Sequence, residues 1–364
     1  MNNTTSGILE IDPKGTGFLR TPSMTMALSK SDVLVPPGLI QKLSLRPGLI
    51  IEGTTQPGKK MGTLTEIIKV NGISPEEWRG VEDFSTYEVI QPQKALRLWK
   101  PGDPISMRVL ETFCPLGCGQ RALIVAPPKA GKTRLLQQLA HAVSEYQPEM
   151  DLLVLLIDER PEEVTDMKRS IRGEVYASSS DSEGNQHMRL AKLVLEYAKR
   201  KVEQHKDVVL LIDSLTRIGR AFNVHQKGTG RTLSGGLDAR ALEVPKRIFG
   251  AARNIEFGGS LTIMATALIE TNSRMDELIF QEFKGTGNSE IVLSRELADQ
   301  RIFPAIDLQK SGTRNEELLW GDRTAVYQKM RRAVSEKKPT EAMQDVLGIL
   351  SKVPDEEGLI KLFS

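Results

Sequence analysis

The sequence predicts an α/β fold, a largely parallel sheet with flanking helices, preceded by a small all-β barrel. Three features carry that prediction. Buried apolar runs at 122–125, 152–157, 208–212 and 260–267 alternate with helical stretches near 132–146, 187–204 and 238–255, the pattern of strands covered on both faces by crossover helices. The first of these runs leads into Ala126-Pro127-Pro128-Lys129-Ala130-Gly131-Lys132-Thr133 and then a helix, which is the strand, loop and helix order of a phosphate-binding loop. Ahead of both, short extended runs at 7–11, 17–20, 32–35, 49–53 and 64–70 are punctuated by Gly and Pro, as in a small barrel or sandwich.

These elements divide the chain into a barrel over 1–75, a linker over 76–107 and a larger α/β domain over 108–364. The linker reading rests on lost periodicity and on Pro92, Pro101 and Pro104 lying among charges. A chain of 364 residues exceeds what one core usually holds. Its hydrophobic content of 39% and charged content of 26% are those of an ordinary globular protein. With a formal net charge of +2, any site for a polyanion must be local. Cys114 and Cys118 have no matching second pair and the four histidines are scattered, so no zinc site is expected and a reducing cytoplasm is. The first residues carry no secretory pattern, and no apolar stretch reaches the ~18 residues of a membrane span, so no membrane association is expected.

The loop after the first strand presents backbone N–H groups and a helix N-terminus to phosphate oxygens. Lys132 can reach the β- and γ-phosphates, and the Thr133 hydroxyl can ligate Mg²⁺. Ala126 replaces the glycine that usually opens such a loop, while Gly131 is retained. Two further strands end in acids, 152–157 in Asp158-Glu159-Arg160 and 208–212 in Asp213-Ser214. Asp213 is assigned to the metal and Glu159 to the attacking water. Each acid could instead cap the helix that follows it; two of them downstream of a phosphate loop favour catalysis. A cation is also needed where charge develops on the γ-phosphate, and Arg160, Arg301 and Arg314 are candidates that spacing leaves open.

Long segments of the chain resemble the Rho family of bacterial transcription termination factors, ring-forming RNA-dependent ATPases of the RecA-like class. The matching runs are 121–133, LLIDERPEEVTD (155–166), DSLTRIGRAFN (213–223), GAARNIEFGGSLTIMATAL (250–268), EFKGTGN (282–288) and 301–319. The resemblance implies ATP and Mg²⁺ as cofactors, with Lys129, Ala130, Gly131, Lys132 and Thr133 in the phosphate loop. It makes Glu159 the catalytic glutamate, Asp213 the Walker B aspartate and Arg160 a contact near the phosphates. Arg314 becomes a finger acting across a subunit interface in a homohexamer. Phe303 matches the aromatic that stacks on adenine; Arg134 stands where its companion is usually methionine, and a guanidinium plane can also stack on a purine. Two channel loops are implied for RNA: 228–236, with Arg231, Gly235 and Gly236, and 271–276, with Arg274. Lys284 lies in a further family loop near the channel and the ATP site.

The N-terminal zone resembles the family's RNA-binding barrel of OB or cold-shock shape through Gly7-Ile8-Leu9-Glu10 and Gly15-Thr16-Gly17-Phe18-Leu19-Arg20, which nominates Phe18 and Arg20 for RNA. Thr16 replaces an expected phenylalanine, and Leu34 and Leu64 fall where tyrosines are expected. Each lost stacking partner weakens single-strand binding by ~1–3 kcal/mol. The zone still holds eight basic residues against five acids, so the barrel is expected to bind RNA weakly or mainly through its backbone, or to be repurposed. The helical module that precedes the barrel in the family is expected to be missing. The resulting expectation is an ATP-driven translocase and helicase that binds nascent single-stranded RNA and releases it from RNA polymerase in transcription complexes. A rotary-ATPase-like catalytic subunit and a DNA-directed RecA-like motor are the alternatives.

Overall fold

The computed structural model describes residues 3–58, 61–180, 182, 184–225, 236–238, 240–353 and 355–363. Strands β1 (Asn3–Ile11), β2 (Gly17–Arg20), β3 (Val33–Val35), β4 (Ile50–Gln56) and β5 (Thr63–Val70) close a barrel in the order β1-β2-β3-β5-β4. Period-2 alternation sends Leu9, Leu19, Val35, Ile51, Leu64 and Val70 into one apolar core with Trp78. The turn before β2 is built by Asp12, whose carboxylate accepts from the backbone N–H groups of Lys14 and Thr16 at 2.9 Å. Leu64, expected on the RNA face, is 1% exposed inside the barrel. Its neighbour Thr63 is the residue that pairs with Leu34 across the outer face. A one-residue difference in register exchanges inside for outside in a strand.

The larger domain is built on a nine-stranded sheet. Its strands are β6 (Val89–Ile90), β7 (Arg121–Ala126), β8 (Asp151–Glu159), β9 (Glu174–Ser179), β10 (Asp207–Asp213), β11 (Arg253–Ile255), β12 (Ser260–Leu268), β13 (Ser289–Val292) and β14 (Gly312–Thr313). The order is β14-β13-β7-β12-β10-β8-β9, parallel from β13 to β9 and antiparallel at β14. Central strands covered on both faces need continuous apolar sequence, and β7, β8, β10 and β12 supply it. The expected helix over 238–255 is shorter: it runs Glu243–Phe249, after which β11 pairs antiparallel with β12. The segment expected as a linker is packed along the larger core, with Phe84, Leu96 and Leu98 each at most 2% exposed. Isolated apolar residues anchor it, which is why it shows no periodicity. Among the described residues no helix is long and apolar enough to cross a membrane.

Barrel and sheet are joined by interlocking contacts. Ile8 and Met26 of the barrel are buried in the same apolar cluster as Leu190, Val194 and Tyr197. The Met24 carbonyl accepts from Ala177 N–H on edge strand β9 at 2.8 Å, so the β2–β3 connection covers that edge. Gly48 has φ +86°, and a Cβ there would lie 2.4 Å from the backbone of Glu196 and Tyr197. Gly15 has a similar φ of +83° but open space around it. Gly15→Ala is therefore expected to cost only the left-handed backbone penalty, about 1–2 kcal/mol. Gly48→Ala is expected to add an overpacking cost of about 1–3 kcal/mol and to speed proteolysis between barrel and sheet. Urea unfolding and limited proteolysis of the two variants check this.

Candidate active site

Strand β7 ends in Ala126, fully buried, whose carbonyl accepts from Ile269 N–H at 3.2 Å. The loop then turns through Lys129 at φ +65° and Gly131 at φ +89°, the residue before helix Lys132–Tyr146. Those left-handed positions fold the chain back so that the first N–H groups of the helix, which lack intrahelical partners, face the loop. Ala126 belongs to the strand core rather than to the phosphate cradle, which accounts for a methyl group being accommodated there.

The two strand-end acids converge on this loop. Lys132 Nζ bonds Asp213 and lies 3.6 Å from Glu159 Oε1. Asp213 also accepts from the Thr266 hydroxyl on β12 at 2.7 Å. Glu159 and Asp213 are 2% and 3% exposed. Glu159 is aimed by a register irregularity between β8 and β9 at Asp158, which takes φ +57°. Burial, and then the nearby Asp213 charge, raise the Glu159 carboxyl above the ordinary range against the pull of Lys132 and Arg217. Thr133 Oγ1 lies 3.3 Å from Glu163 Oε2 beside the same loop.

Arg217 is the residue the sequence reading missed. It sits on helix Leu215–His225, with Nη2 3.2 Å from Glu159 Oε1 and Nη1 3.1 Å from Asp158 Oδ2. Its signal was its place on the first turn after Asp213-Ser214, where it must face the edge that Asp213 faces. Arg160 is exposed and precedes helix Pro161–Ser170. Lys129, Gly131, Arg134 and Phe303 line one cleft with Ser106 and Gln138. Phe303 is 40% exposed there, beside Gly131.

Arg314 is elsewhere. Its N–H donates to the Asn288 carbonyl at 2.8 Å, and Asn288 N–H donates to the Arg121 carbonyl at the start of β7. The six residues of β7 at ~3.3 Å rise place that point on the order of 17 Å from the loop. Arg314 is exposed, and its charge helps hold the Arg121 guanidinium below its ordinary value, after burial. Lys284 is exposed at the end of helix Arg274–Phe283, on the approach to this same edge. Arg274, by contrast, is exposed beyond the carboxyl end of β12.

On the barrel, Phe18 is half-buried with the Arg20 guanidinium 4.9 Å from its ring centre. Arg20 itself is 6% exposed, paired with Glu10 at 2.6 Å and Asp32 at 2.5 Å. Its charge is committed inside the protein, leaving Phe18 the more available of the two. Gly236 is described at φ +77°; Arg231 and Gly235 lie outside the described residues.

A barrel fused to a phosphate-loop sheet with two carboxylates at its edge defines a nucleotide-binding ATPase domain carrying a nucleic-acid-type barrel. The model "ATP synthase alpha/beta family, nucleotide-binding domain" matches residues 106–313, and "Rho termination factor, RNA-binding domain" matches residues 5–76. The chain is 51% identical over 320 residues to transcription termination factor Rho of Cereibacter sphaeroides, covering 86% of this chain and 76% of that one. It is 48% identical over 357 residues to Rho of Streptomyces coelicolor, covering 98% and 85%. The chain belongs to the Rho family of transcription termination factors.

Among solved structures, a type III secretion system ATPase of pathogenic bacteria aligns with TM-score 0.62 at 20% identity, over 76% of this chain and 87% of that one. An ATP synthase subunit from Nanoarcheaum equitans aligns with TM-score 0.56 at 19% identity, over 68% and 62%. Those likenesses establish the shared fold. Identity near one half over most of the chain sets the Rho reading above the rotary and DNA-directed ones.

Glu159 binds its proton more tightly folded than unfolded, so ionising it costs stability. That cost grows as pH rises from ~4.3 through the raised folded value. Glu159→Gln is expected to remove this part of the decline, so that the variant gains stability relative to the parent between pH 5 and pH 8. Urea unfolding of the nucleotide-free proteins at the two pH values measures it.

Proposed function

We propose that the chain is an RNA-dependent ATPase that moves along single-stranded RNA and releases it from transcription complexes, acting as a homohexamer. The observation that carries this reading is the division of the catalytic set between two edges of one sheet. Lys132, Glu159 and Asp213 meet at the carboxyl edge, while Arg314 is held at the opposite one. An arginine that far from its own phosphate loop can complete a γ-phosphate site only in a neighbouring protomer.

In this scheme the loop N–H groups and Lys132 neutralise the triphosphate, and Glu159 orients the attacking water. Arg314 of the adjacent protomer meets the charge that develops in the transition state. Thr133 and Asp213 are hard oxygen donors suited to Mg²⁺, which when bound supplies charge neutralisation between phosphate oxygens. Phe303 and Arg134, facing one cleft, are assigned to the adenine, one as a ring and one as a guanidinium plane. When phosphate arrives, Lys132 exchanges its carboxylate partners for phosphate oxygens.

Coupling to RNA is supported by helix Leu215–His225. Arg217 on it touches Glu159, and Arg220, on the same helix, pairs with Asp276 at 2.7 Å. Asp276 is fully buried and accepts from the Thr271 hydroxyl at 2.6 Å. A shift at the catalytic carboxylate is thereby transmitted to the turn at 271–273 and to the first turn of helix Arg274–Phe283, which carries Arg274. Two discrete arrangements of one packed helix suffice for such a switch.

Steady-state ATP hydrolysis with no polymer, with pyrimidine-rich RNA and with single-stranded DNA tests the reading. Stimulation by RNA alone is expected; equal rates in all three conditions would refute it. Arg314→Ala is expected to lower turnover by about 10³-fold or more, the scale of an arginine finger, with ATP binding retained in equilibrium titrations.

A further inference from the structure

A cleft of about 460 Å³ lies between the barrel and the larger domain, apart from the nucleotide site. Arg189, Lys192, Lys199 and Arg247 face it, against the carboxylates of Glu10 and Glu196. The two acids are already engaged: Glu10 with Arg189 at 2.6 Å and Glu196 with Lys199 at 2.7 Å. Lys192 and Arg247 are exposed, and neither has an ion-pair partner among the described residues, although Lys192 Nζ lies 5.3 Å from the centre of the Phe222 ring. The cleft therefore combines two fixed ion pairs with two cations that no carboxylate neutralises. Pro47, Val244 and Ile248 give it an apolar floor.

Its position joins it to the outer face of the barrel. Glu10 and Ile11 line the cleft, and Glu10 is the cross-strand partner of Phe18. Neighbouring strands are ~4.8 Å apart, so a strand of nucleic acid stacked on Phe18 reaches the cleft within one nucleotide. The barrel has Phe18 as its sole aromatic before Trp78, which leaves little stacking to hold RNA. Backbone charge contacts are the other source of single-strand affinity and are indifferent to sequence.

We propose that this cleft is a binding site for the phosphodiester backbone of single-stranded RNA adjoining the barrel, with Lys192 and Arg247 as the phosphate contacts. The apolar floor accommodates sugars, and the paired Arg189 and Lys199 set the walls. This rests on the RNA reading above and adds a site to it.

The test is the salt dependence of binding of a fluorescent oligocytidylate to the full chain without nucleotide. Each phosphate contact contributes a slope of ~0.7 in log K against log salt for single strands. The Lys192→Ala/Arg247→Ala double variant is expected to lose about 1.4 of that slope and on the order of 25-fold in affinity at 0.1 M salt. Its ATP affinity and thermal midpoint should match the parent, and Lys192→Arg/Arg247→Lys should retain the slope. A double variant with parental slope and affinity overturns the cleft proposal while leaving the RNA reading intact. A parent that binds no RNA even at low salt overturns both.

Discussion

Two nearly buried carboxylates, Glu159 and Asp213, stand at the ends of neighbouring parallel strands, and Lys132 holds them together. Like charges that close in a medium of low dielectric repel strongly, and removing either acid's cation would leave an uncompensated buried charge. The arrangement therefore dictates its surroundings. The phosphate-loop helix must begin where its lysine can reach both acids. Helix Leu215–His225 must turn Arg217 toward Glu159 from the other side. Thr266 must offer its hydroxyl to the remaining oxygen of Asp213. The apolar strands supply the rigidity, and the ion cluster supplies a site already shaped for a polyanion.

The same sheet separates the phosphate-loop cluster from Arg314. Its carboxyl edge gathers the phosphate loop, the acids and the 271–276 loop; its opposite edge displays Arg314 next to Asn288 and Arg121. In the proposed oligomer this separation would make nucleotide state and subunit contact interdependent. A barrel locked to the sheet by Ile8, Met26 and Gly48 is a fixed part of this ATPase domain.

Much of this was legible in the sequence because its physical signals are local. Parallel strands buried on both faces must be apolar along their length, so β7, β8, β10 and β12 announced themselves, as did the acids at the ends of β8 and β10. Gly131, retained before Lys132, fitted the close approach of backbone to phosphate that such a loop needs, and it takes φ +89°. What failed to show depends on partners distant in sequence. The resemblance puts Leu64 where a base-stacking tyrosine is expected, but pairing with β4 through register shifts turns it into the barrel core. Segment 76–107 looked like a linker because single residues such as Phe84 and Leu98 fasten it. Arg20 reads as an exposed cation until Glu10 and Asp32 are seen on either side of it. Arg217 gave no distinguishing signal beyond its place after Asp213.

If each hydrolytic site is shared between protomers, two variants inactive by themselves should complement each other on mixing. Lys132→Ala removes the phosphate lysine from a protomer's own site, and Arg314→Ala removes the arginine proposed to complete the next protomer's site. Each preparation alone should be inactive. Co-assembled oligomers contain interfaces in which an intact phosphate loop meets an intact Arg314, so the account predicts that RNA-stimulated ATP hydrolysis reappears on mixing. Full activity of Arg314→Ala by itself, or no recovery in verified mixed oligomers, would contradict it.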